Sequence, residues 1–167
     1  PARPDLAAAH LKGRVAADRF AEGRAMVVCV PVAPVASEPD GNARLTTQLL
    51  FGERVQVYEA DGQWAWMQAD GDGYVGYVPR SCLDDPEAMG APAPTHRVTA
   101  VSTHVYPEPH VKARAAGALS YGARIAVAAE AEGFALMAAG GCVPAGHVAP
   151  LEAAAPDWVA EAEKLRG

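Results

Sequence analysis

The chain has 167 residues and a mass of 17.3 kDa, which suits two compact units of roughly 60 residues each, with a leader and a tail. Its 14 Lys and Arg residues are outnumbered by 20 Asp and Glu residues, and the net charge of −6 argues against a nucleic-acid partner. No run of about 18 apolar residues occurs, so we expect no membrane-spanning helix.

The leader is predicted to contain a short helix over residues 6–11. Asp5 is a favourable N-cap residue for such a helix, and Pro4 stands directly ahead of it. No basic and apolar leader of the secretory kind opens the sequence.

A strand and a tight turn are predicted next, between residues 54 and 62. In residues 54–59 apolar and polar side chains alternate, which places Val55 and Val57 on one face of a half-buried strand. Asp61 and Gly62 follow as a hairpin signal, because glycine accepts the positive φ that tight turns require.

Two further strands complete this part of the pattern. The return strand covers residues 64–68, a second turn covers residues 70–73, and a third strand covers residues 74–78. Pro79 ends the third strand because proline cannot donate a ladder hydrogen bond. Short strands at this spacing favour a small β-barrel or a β-sandwich.

The rest of the chain contains a linker and a tail. Residues 85–96 are rich in Pro, Ala and Gly and show no periodicity, so they are predicted to be a linker. The segment from Pro156 to Leu165 has a capping Asp157 and apolar positions that include Trp158 and Ala162, which predicts a helix.

An internal repeat defines the architecture. Residues 34–67 align without a gap with residues 104–137. After a shorter second turn the register resumes, with residues 76–79 against residues 141–144. A repeat this long that occurs twice indicates two copies of one domain. The identical pairs are Val35/Val105, Glu38/Glu108, Pro39/Pro109, Ala43/Ala113, Arg44/Arg114, Leu49/Leu119, Gly52/Gly122, Arg54/Arg124, Val57/Val127, Ala65/Ala135 and Met67/Met137.

The repeated motifs carry a family resemblance. The order is E-P, L-x-x-G-x-x-V-x-V, G-x-W-x-W-M and G-Y-V-P, and it resembles the bacterial SH3 domain. With T-Q-L-L-F-G-E, D-G-Y-V-G-Y-V-P and A-P-T-H, the whole chain resembles the N-terminal region of NlpC-type cell-wall cysteine peptidases. The resemblance implies an all-β chain of two tandem SH3-like small β-barrels, with short helical segments at both ends.

The implied domain boundaries follow from the same resemblance. A leader with a short helix spans residues 1–26, and the two barrels span residues 27–84 and 97–152, joined by the linker. Residues 153–167 form a tail helix that leads into a papain-like peptidase domain with Tyr-x-Trp-Gly-Gly and Asp-Cys-Ser-Gly motifs. Neither motif occurs before Gly167, so we expect this chain to be the non-catalytic part of such an enzyme.

The sequence predicts no catalytic residue, metal site or cofactor. Its three cysteines, Cys29, Cys82 and Cys142, form no C-x-x-C pair, which favours small buried thiols over a disulfide framework or a zinc site. None of the five histidines accompanies a nucleophile motif. Asp70 and Asp72 resemble the start of a calcium loop, but the later ligands are missing, which predicts a plain turn.

The aromatic cluster of the first repeat is the candidate binding surface. Trp64, Trp66, Tyr74 and Tyr77 lie on two adjacent predicted strands, and Trp64 and Trp66 share a face. The second repeat has Phe134, Leu136 and Cys142 at matching positions. We therefore expect the first copy to contact ligand and the second to serve as a spacer or brace. The alternative for each ring is packing in the core or against a neighbouring domain.

The resemblance also names a ligand. The family cleaves L-Ala-γ-D-Glu-diamino acid peptides after the D-Glu, and the free L-Ala amine is a cation that requires a carboxylate and hydrogen-bond acceptors. The hypothesis is that Tyr74, with one carboxylate, caps this amino end. The candidate substrate-binding residues are Tyr74, Tyr77, Asp72, Glu53, Glu38 and Trp66, with Asp70 as a further acidic neighbour.

Two functions remain open at this stage. The chain is either the substrate-shaping region of a cysteine endopeptidase or a stand-alone module that binds cell-wall polymer or a protein. Capture of proline-rich peptides is disfavoured because it needs an aromatic groove of another kind. Unpaired thiols favour the cytoplasm, and the periplasm is the alternative.

Overall fold

The computed structural model of the protein describes residues 1–87, 92–153 and 158–163. The chain divides into two compact units, unit 1 (Pro1–Met89) and unit 2 (Gly90–Gly167). Both units are built mainly from short antiparallel strands, so the all-β prediction is confirmed.

The described residues of unit 1, 1–87, form nine strands. They are β1 (Leu6–Ala8), β2 (Arg19–Ala21), β3 (Arg24–Val28), β4 (Val32–Ala36), β5 (Leu45–Leu50), β6 (Arg54–Asp61), β7 (Trp64–Ala69), β8 (Val75–Pro79) and β9 (Leu83–Asp84). Seven of them form one sheet in the order β5-β4-β8-β7-β6-β3-β9, and β1 pairs in parallel with β2. Single 3₁₀ turns cover Ala9–Leu11 and Arg80–Cys82.

The three strands predicted between residues 54 and 78 are confirmed as β6, β7 and β8. Gly62 makes the β6–β7 turn with φ of 53°. Strand alternation then sends one face of each strand inward. The buried core of unit 1 consists of Val28, Ala33, Val35, Leu49, Val55, Ala65, Met67, Ala69, Val78 and Leu83.

The predicted helix over residues 6–11 is wrong in its first half. Leu6–Ala8 is strand β1 with all three residues buried, and only Ala9–Leu11 makes a single 3₁₀ turn. The turn has no side-chain cap. The residue ahead of the turn is Ala8, which has no side-chain acceptor, and the predicted cap Asp5 uses its carboxylate for ion pairs with Arg3 and Arg19. Burial of the strand against its neighbours outweighs a weak local helix preference.

The part of unit 2 that the structure describes forms eight strands and a short helix. They are β10 (His96–Val98), β11 (Ser102–Val105), β12 (Gly117–Ser120), β13 (Arg124–Ile125), β14 (Val127–Ala131), β15 (Phe134–Met137), β16 (Cys142–Pro144), β17 (Val148–Pro150) and α1 (Trp158–Glu163). The sheets have the orders β13-β10-β17, β11-β12 and β14-β15-β16. A 3₁₀ turn covers Ala145–His147.

The sequence repeat is also a repeat of hydrogen-bond register. Val32 pairs with Leu50 in unit 1, and Ser102 pairs with Ser120 in unit 2, which is the same pairing moved by 70 positions. A β-bulge follows Val57 in β6 and Val127 in β14. Gly52 and Gly122, an identical pair of the repeat, have φ of 78° and 87°, and their amides donate to the carbonyls of Val28 and Val98.

The helical tail is confirmed where the structure describes it. Helix α1 covers Trp158–Glu163. The predicted cap and last apolar position, Pro156, Asp157 and Leu165, lie outside the described residues. Within the described parts of the chain, no helix has the length and apolar character needed to cross a membrane.

Candidate functional site

Three polar or aromatic side chains form a row across the outer face of the unit 1 sheet. Glu59 of β6 is paired with Trp66 of β7, and Trp66 is paired with Tyr77 of β8. Residues directly opposite each other in antiparallel strands project from the same face. Trp64, two residues before Trp66 in β7, lines the same cleft.

A β-bulge is what brings Glu59 to this row. Simple alternation would put it on the same face as Val55 and Val57, which face the core. The bulge inserts one residue between Val57 and Glu59, so the strand changes face and Glu59 faces Trp66 instead of Ala65. Sequence reasoning missed Glu59 because a bulge leaves no signal in the apolar pattern.

The guanidinium of Arg3 lies on this row. Its Cζ atom is 4.5 Å from the centroid of the Trp66 ring and 5.8 Å from that of Tyr77. Nη1 donates to the Tyr77 hydroxyl at 3.0 Å, and Nη2 donates to Glu59. Nε and Nη2 also donate to Asp5, at 2.8 and 2.9 Å. Only 19% of the Arg3 side chain is exposed, so the row already holds a cation.

The surrounding charges stabilise this arrangement. Arg19 donates to the second oxygen of Glu59 at 2.7 Å. Hydrogen bonds from Arg3, and then from Arg19, hold the pKa of Glu59 below its usual range. The hydrogen bond between Arg3 and Asp5 acts on both partners. It lowers the pKa of the Asp5 carboxyl, and it is the largest cause of the raised pKa of the Arg3 guanidinium. Arg3, Asp5 and Glu59 are therefore charged at neutral pH.

The row opens into a cleft of about 660 Å³. Aromatic faces and carboxylates are the groups that recognise an organic cation, because one supplies a negative ring face and the other a full negative charge. The arrangement can therefore bind an ammonium or guanidinium group. The lining residues include Arg3, Asp5, Glu59, Asp61, Trp64, Trp66 and Tyr77.

The six predicted substrate-binding residues fall into two groups. Trp66 and Tyr77 lie side by side in the cleft, whereas Tyr74, Asp72, Glu53 and Glu38 are not among its lining residues. Tyr74, which is 38% exposed, follows the turn at the other end of the β7–β8 pair.

The carboxylates in the second group have local roles or are exposed. Asp72 accepts a hydrogen bond from the Tyr74 amide at 2.9 Å, within the turn that precedes β8. Glu53 accepts from the Leu50 amide at 2.9 Å and closes the turn between β5 and β6. Glu38 is exposed between β4 and β5. Asp70 accepts a hydrogen bond of 3.2 Å from the side-chain amide of Gln56.

The equivalent row in unit 2 has none of this chemistry. Ala129 is paired with Leu136, and Leu136 with Cys142, at the positions that correspond to Glu59, Trp66 and Tyr77. Cys142 is 1% exposed, and burial raises the pKa of its thiol. The repeat thus retains the strand framework and lacks the cation-binding groups.

A second cavity in unit 1, of about 800 Å³, has a different character. Its walls include Met26, Val57 and other apolar side chains, and two arginines lie at its edge. Both arginines are engaged, since Arg24 pairs with Asp85 at 2.8 Å and Arg80 donates to the Gly62 carbonyl at 3.2 Å. Nothing in this cavity identifies the chemistry of a ligand.

The three cysteine thiols are partly or fully buried. Burial is the largest cause of the raised pKa of the Cys29 and Cys82 thiols, so both favour the unreactive protonated form. Within residues 1–87, 92–153 and 158–163, no group of three or more His, Cys, Asp or Glu side chains could hold a metal ion.

Comparison with known proteins finds one similar family in sequence and similar solved structures. Residues 35–83 match the sequence model of the bacterial dipeptidyl-peptidase SH3 domain. No curated protein matches the chain. An NlpC/P60 family protein from Bacillus cereus ATCC 10987 has a similar structure, with a TM-score of 0.66 and 17% identity over 84% of this chain.

NlpC2 from Trichomonas vaginalis also aligns, with a TM-score of 0.34 and 12% identity over 88% of this chain. The chain spans 63% of the length of the Bacillus cereus protein and 56% of that of NlpC2. Over the aligned part, the chain has the fold of the Bacillus cereus protein, and its residues 35–83 are similar in sequence to the bacterial dipeptidyl-peptidase SH3 domain.

Proposed function

We propose that the chain is the non-catalytic, substrate-shaping region of an NlpC-type cysteine endopeptidase that cleaves γ-D-glutamyl-diamino acid bonds in cell-wall (murein) peptides. The observation that carries the proposal is the row of Glu59, Trp66 and Tyr77, which holds a cation in an aromatic and acidic cleft. The amino end of the proposed peptide, a free L-Ala ammonium, is also a cation. The fold shared with the Bacillus cereus NlpC/P60 protein supports the peptidase context.

Glu59 is the carboxylate that we propose to meet the peptide amine. It shares the cleft with Trp66 and Tyr77, whereas the earlier candidates Glu38 and Glu53 do not line it. Tyr77 thereby takes the place that the sequence hypothesis gave to Tyr74. The phenol oxygen accepts one hydrogen bond from the cation, and the carboxylate supplies the opposite charge.

The proposal includes the domain plan. Residues 27–84 and 97–152 are two SH3-like barrels, and the repeated strand register supports their common design. Residues 153–167 lead into a papain-like peptidase domain, the proposed partner. The proposed compartment is the cytoplasm, where imported wall peptides would be recycled, and the unpaired thiols support it.

Calorimetry with two matched peptides tests the proposed ligand. L-Ala-γ-D-Glu-diaminopimelate with a free amino end should bind about tenfold more tightly than its N-acetylated form, because acetylation removes a charge-assisted hydrogen bond. Glu59→Gln should abolish the preference. Glu53→Gln is the matched control, because this carboxylate lies in the same unit and serves a turn.

Equal dissociation constants for the two peptides would overturn the proposed recognition of the amino end. Binding to intact cell-wall polymer without binding to either soluble peptide would instead favour a stand-alone wall-binding module. The same assay therefore separates the two functions that the sequence left open.

A further inference from the structure

We propose that Arg3 is a built-in competitor of the ligand: its guanidinium occupies the cation position of the Glu59–Trp66–Tyr77 row, and a ligand cation binds only when the Arg3 side chain swings away. The inference relies on the proposed function for the identity of the natural ligand and not for the occupancy itself. It adds a self-occluded state to the cleft.

The contacts of Arg3 are those that a ligand cation would make. The Cζ atom of the guanidinium lies 4.5 Å from the centroid of the Trp66 ring. The guanidinium also donates a hydrogen bond of 3.0 Å to the Tyr77 hydroxyl and forms an ion pair with Glu59. One ring face and one phenol oxygen cannot serve two cations at once. Ligand and Arg3 are therefore mutually exclusive at this position.

The backbone around Arg3 is anchored, so the side chain is the part that must move. Leu6, the first residue of β1, is 1% exposed. The amides of Arg3 and Leu6 each donate to the other's carbonyl, at 2.9 and 3.2 Å. The Pro4 carbonyl accepts from Asp18 at 3.0 Å. Because the segment is held in this way, Arg3 stays beside the cleft after displacement and competes at a high effective concentration.

Asp5 gives the displaced guanidinium a partner. Its carboxylate lies 2.8 Å from Arg3 Nε and is half exposed. Arg3 can therefore leave the Trp66 ring and Glu59 while it keeps an ion pair at the surface. Glu59 in turn keeps Arg19 on its other carboxylate oxygen, at 2.7 Å, throughout the exchange. Neither charge is left without a partner during the exchange.

The second repeat provides an internal comparison. Ala129, Leu136 and Cys142 stand in the register of the cation-binding row, so these three positions of unit 2 offer a cation neither a ring face nor a carboxylate. The competitor is found in the unit that has the site.

L-Alaninamide and its neutral analogue N-acetyl-L-alaninamide are the probes for this proposal. If the Arg3 guanidinium occupies the site in about nine-tenths or more of the molecules, Arg3→Ala should lower the apparent dissociation constant of L-alaninamide about tenfold or more. In the unchanged chain, Nε keeps its bond to Asp5, but NMR should show the Arg3 Nε–H signal losing the ring-current shift caused by Trp66 as L-alaninamide is added.

Two arginine variants control for simple loss of charge. Arg24→Ala removes an exposed ion pair outside the cleft, and Arg19→Ala removes the other arginine that binds Glu59. If only net charge matters, all three variants should tighten binding alike; occlusion requires that Arg3→Ala alone gives the large effect. Circular dichroism and thermal unfolding check that each variant is folded.

The outcomes separate this proposal from the proposed function. An unchanged dissociation constant in folded Arg3→Ala, or an Arg3 Nε–H signal that stays in place while L-alaninamide binds, would overturn the occlusion. Neither result bears on the preference for the free peptide over the acetylated one. Conversely, a tenfold gain for L-alaninamide with no such preference would support the occlusion and overturn the proposed ligand.

Discussion

Gly76 lies where β8 passes closest to β4. A β-carbon at this position would lie 2.4 Å from Cγ1 of Val35 and 3.1 Å from the carbonyl oxygen of Ala36. Val35 is fully buried in the core, so it has little freedom to move. The second repeat makes the same approach, since a β-carbon at Gly141 would lie 3.1 Å from Val105.

Gly76→Ala should therefore destabilise unit 1 by about 1–3 kcal/mol, because a methyl group would overlap a packed core side chain. Denaturant unfolding followed by circular dichroism measures this loss. Gly41→Ala is the matched control, since a β-carbon there meets no atom within 4 Å. A Gly76→Ala variant as stable as the control would show that the strands separate without cost at this point.

At the scale of strands, local sequence patterns correctly predicted the hairpins of β6, β7 and β8, but they predicted a helix in the leader where strand β1 lies. Alternation and turn glycines are local signals, and β6, β7 and β8 follow them. Strand β1 depends on burial and on pairing with Arg19–Ala21, neither of which a capping residue at position 5 can reveal. The bulge before Glu59 and the contact between Arg3 and Trp66 are tertiary features, so half of the cleft was beyond sequence reasoning.

The ion pairs that hold the leader to β6 predict a dependence on pH. The pKa of Glu59 is lowered on folding by Arg3 and Arg19, so the stabilisation is present above the ordinary glutamate pKa of about 4.3. It is lost as the pH falls through the lower pKa of the folded state. We expect the Arg3 guanidinium to leave the Trp66 ring in this acidic range, at a cost of about 1 kcal/mol.

The Arg3 Nε–H signal followed from pH 7 to pH 2.5 measures this release. Glu59→Gln is the control, because its side chain keeps nearly the same shape and does not titrate. The Asp5 carboxyl also has a lowered pKa, so Asp5→Asn should be followed in parallel. An identical transition in Glu59→Gln and the unchanged chain would assign the release to another group.

At the scale of the whole molecule, the repeat was the most informative feature of the sequence. A shift of 70 residues reproduces the β4–β5 register and the bulge in unit 2. Such a repeat reports the shared framework because core positions and turn glycines must be kept in both copies. It cannot report the cleft, since Glu59 has Ala129 as its counterpart and Arg3 lies before the aligned region.

The core of unit 1 is drawn from positions 28 to 83, and this predicts that a fragment of residues 1–87 folds alone. The fragment should unfold cooperatively and give the same Arg3 Nε–H shift as the whole chain. A shorter fragment, residues 22–87, loses the burial of Leu6, which is worth about 1.5–3 kcal/mol, and should be less stable by up to that amount, because the entropy cost of ordering the leader is lost as well. Equal stability of the two fragments would mean that β1 adds nothing to unit 1, and an unfolded 1–87 fragment would mean that its core does not suffice. Either result would change the interpretation of the cleft, because the position of Arg3 depends on the anchored leader.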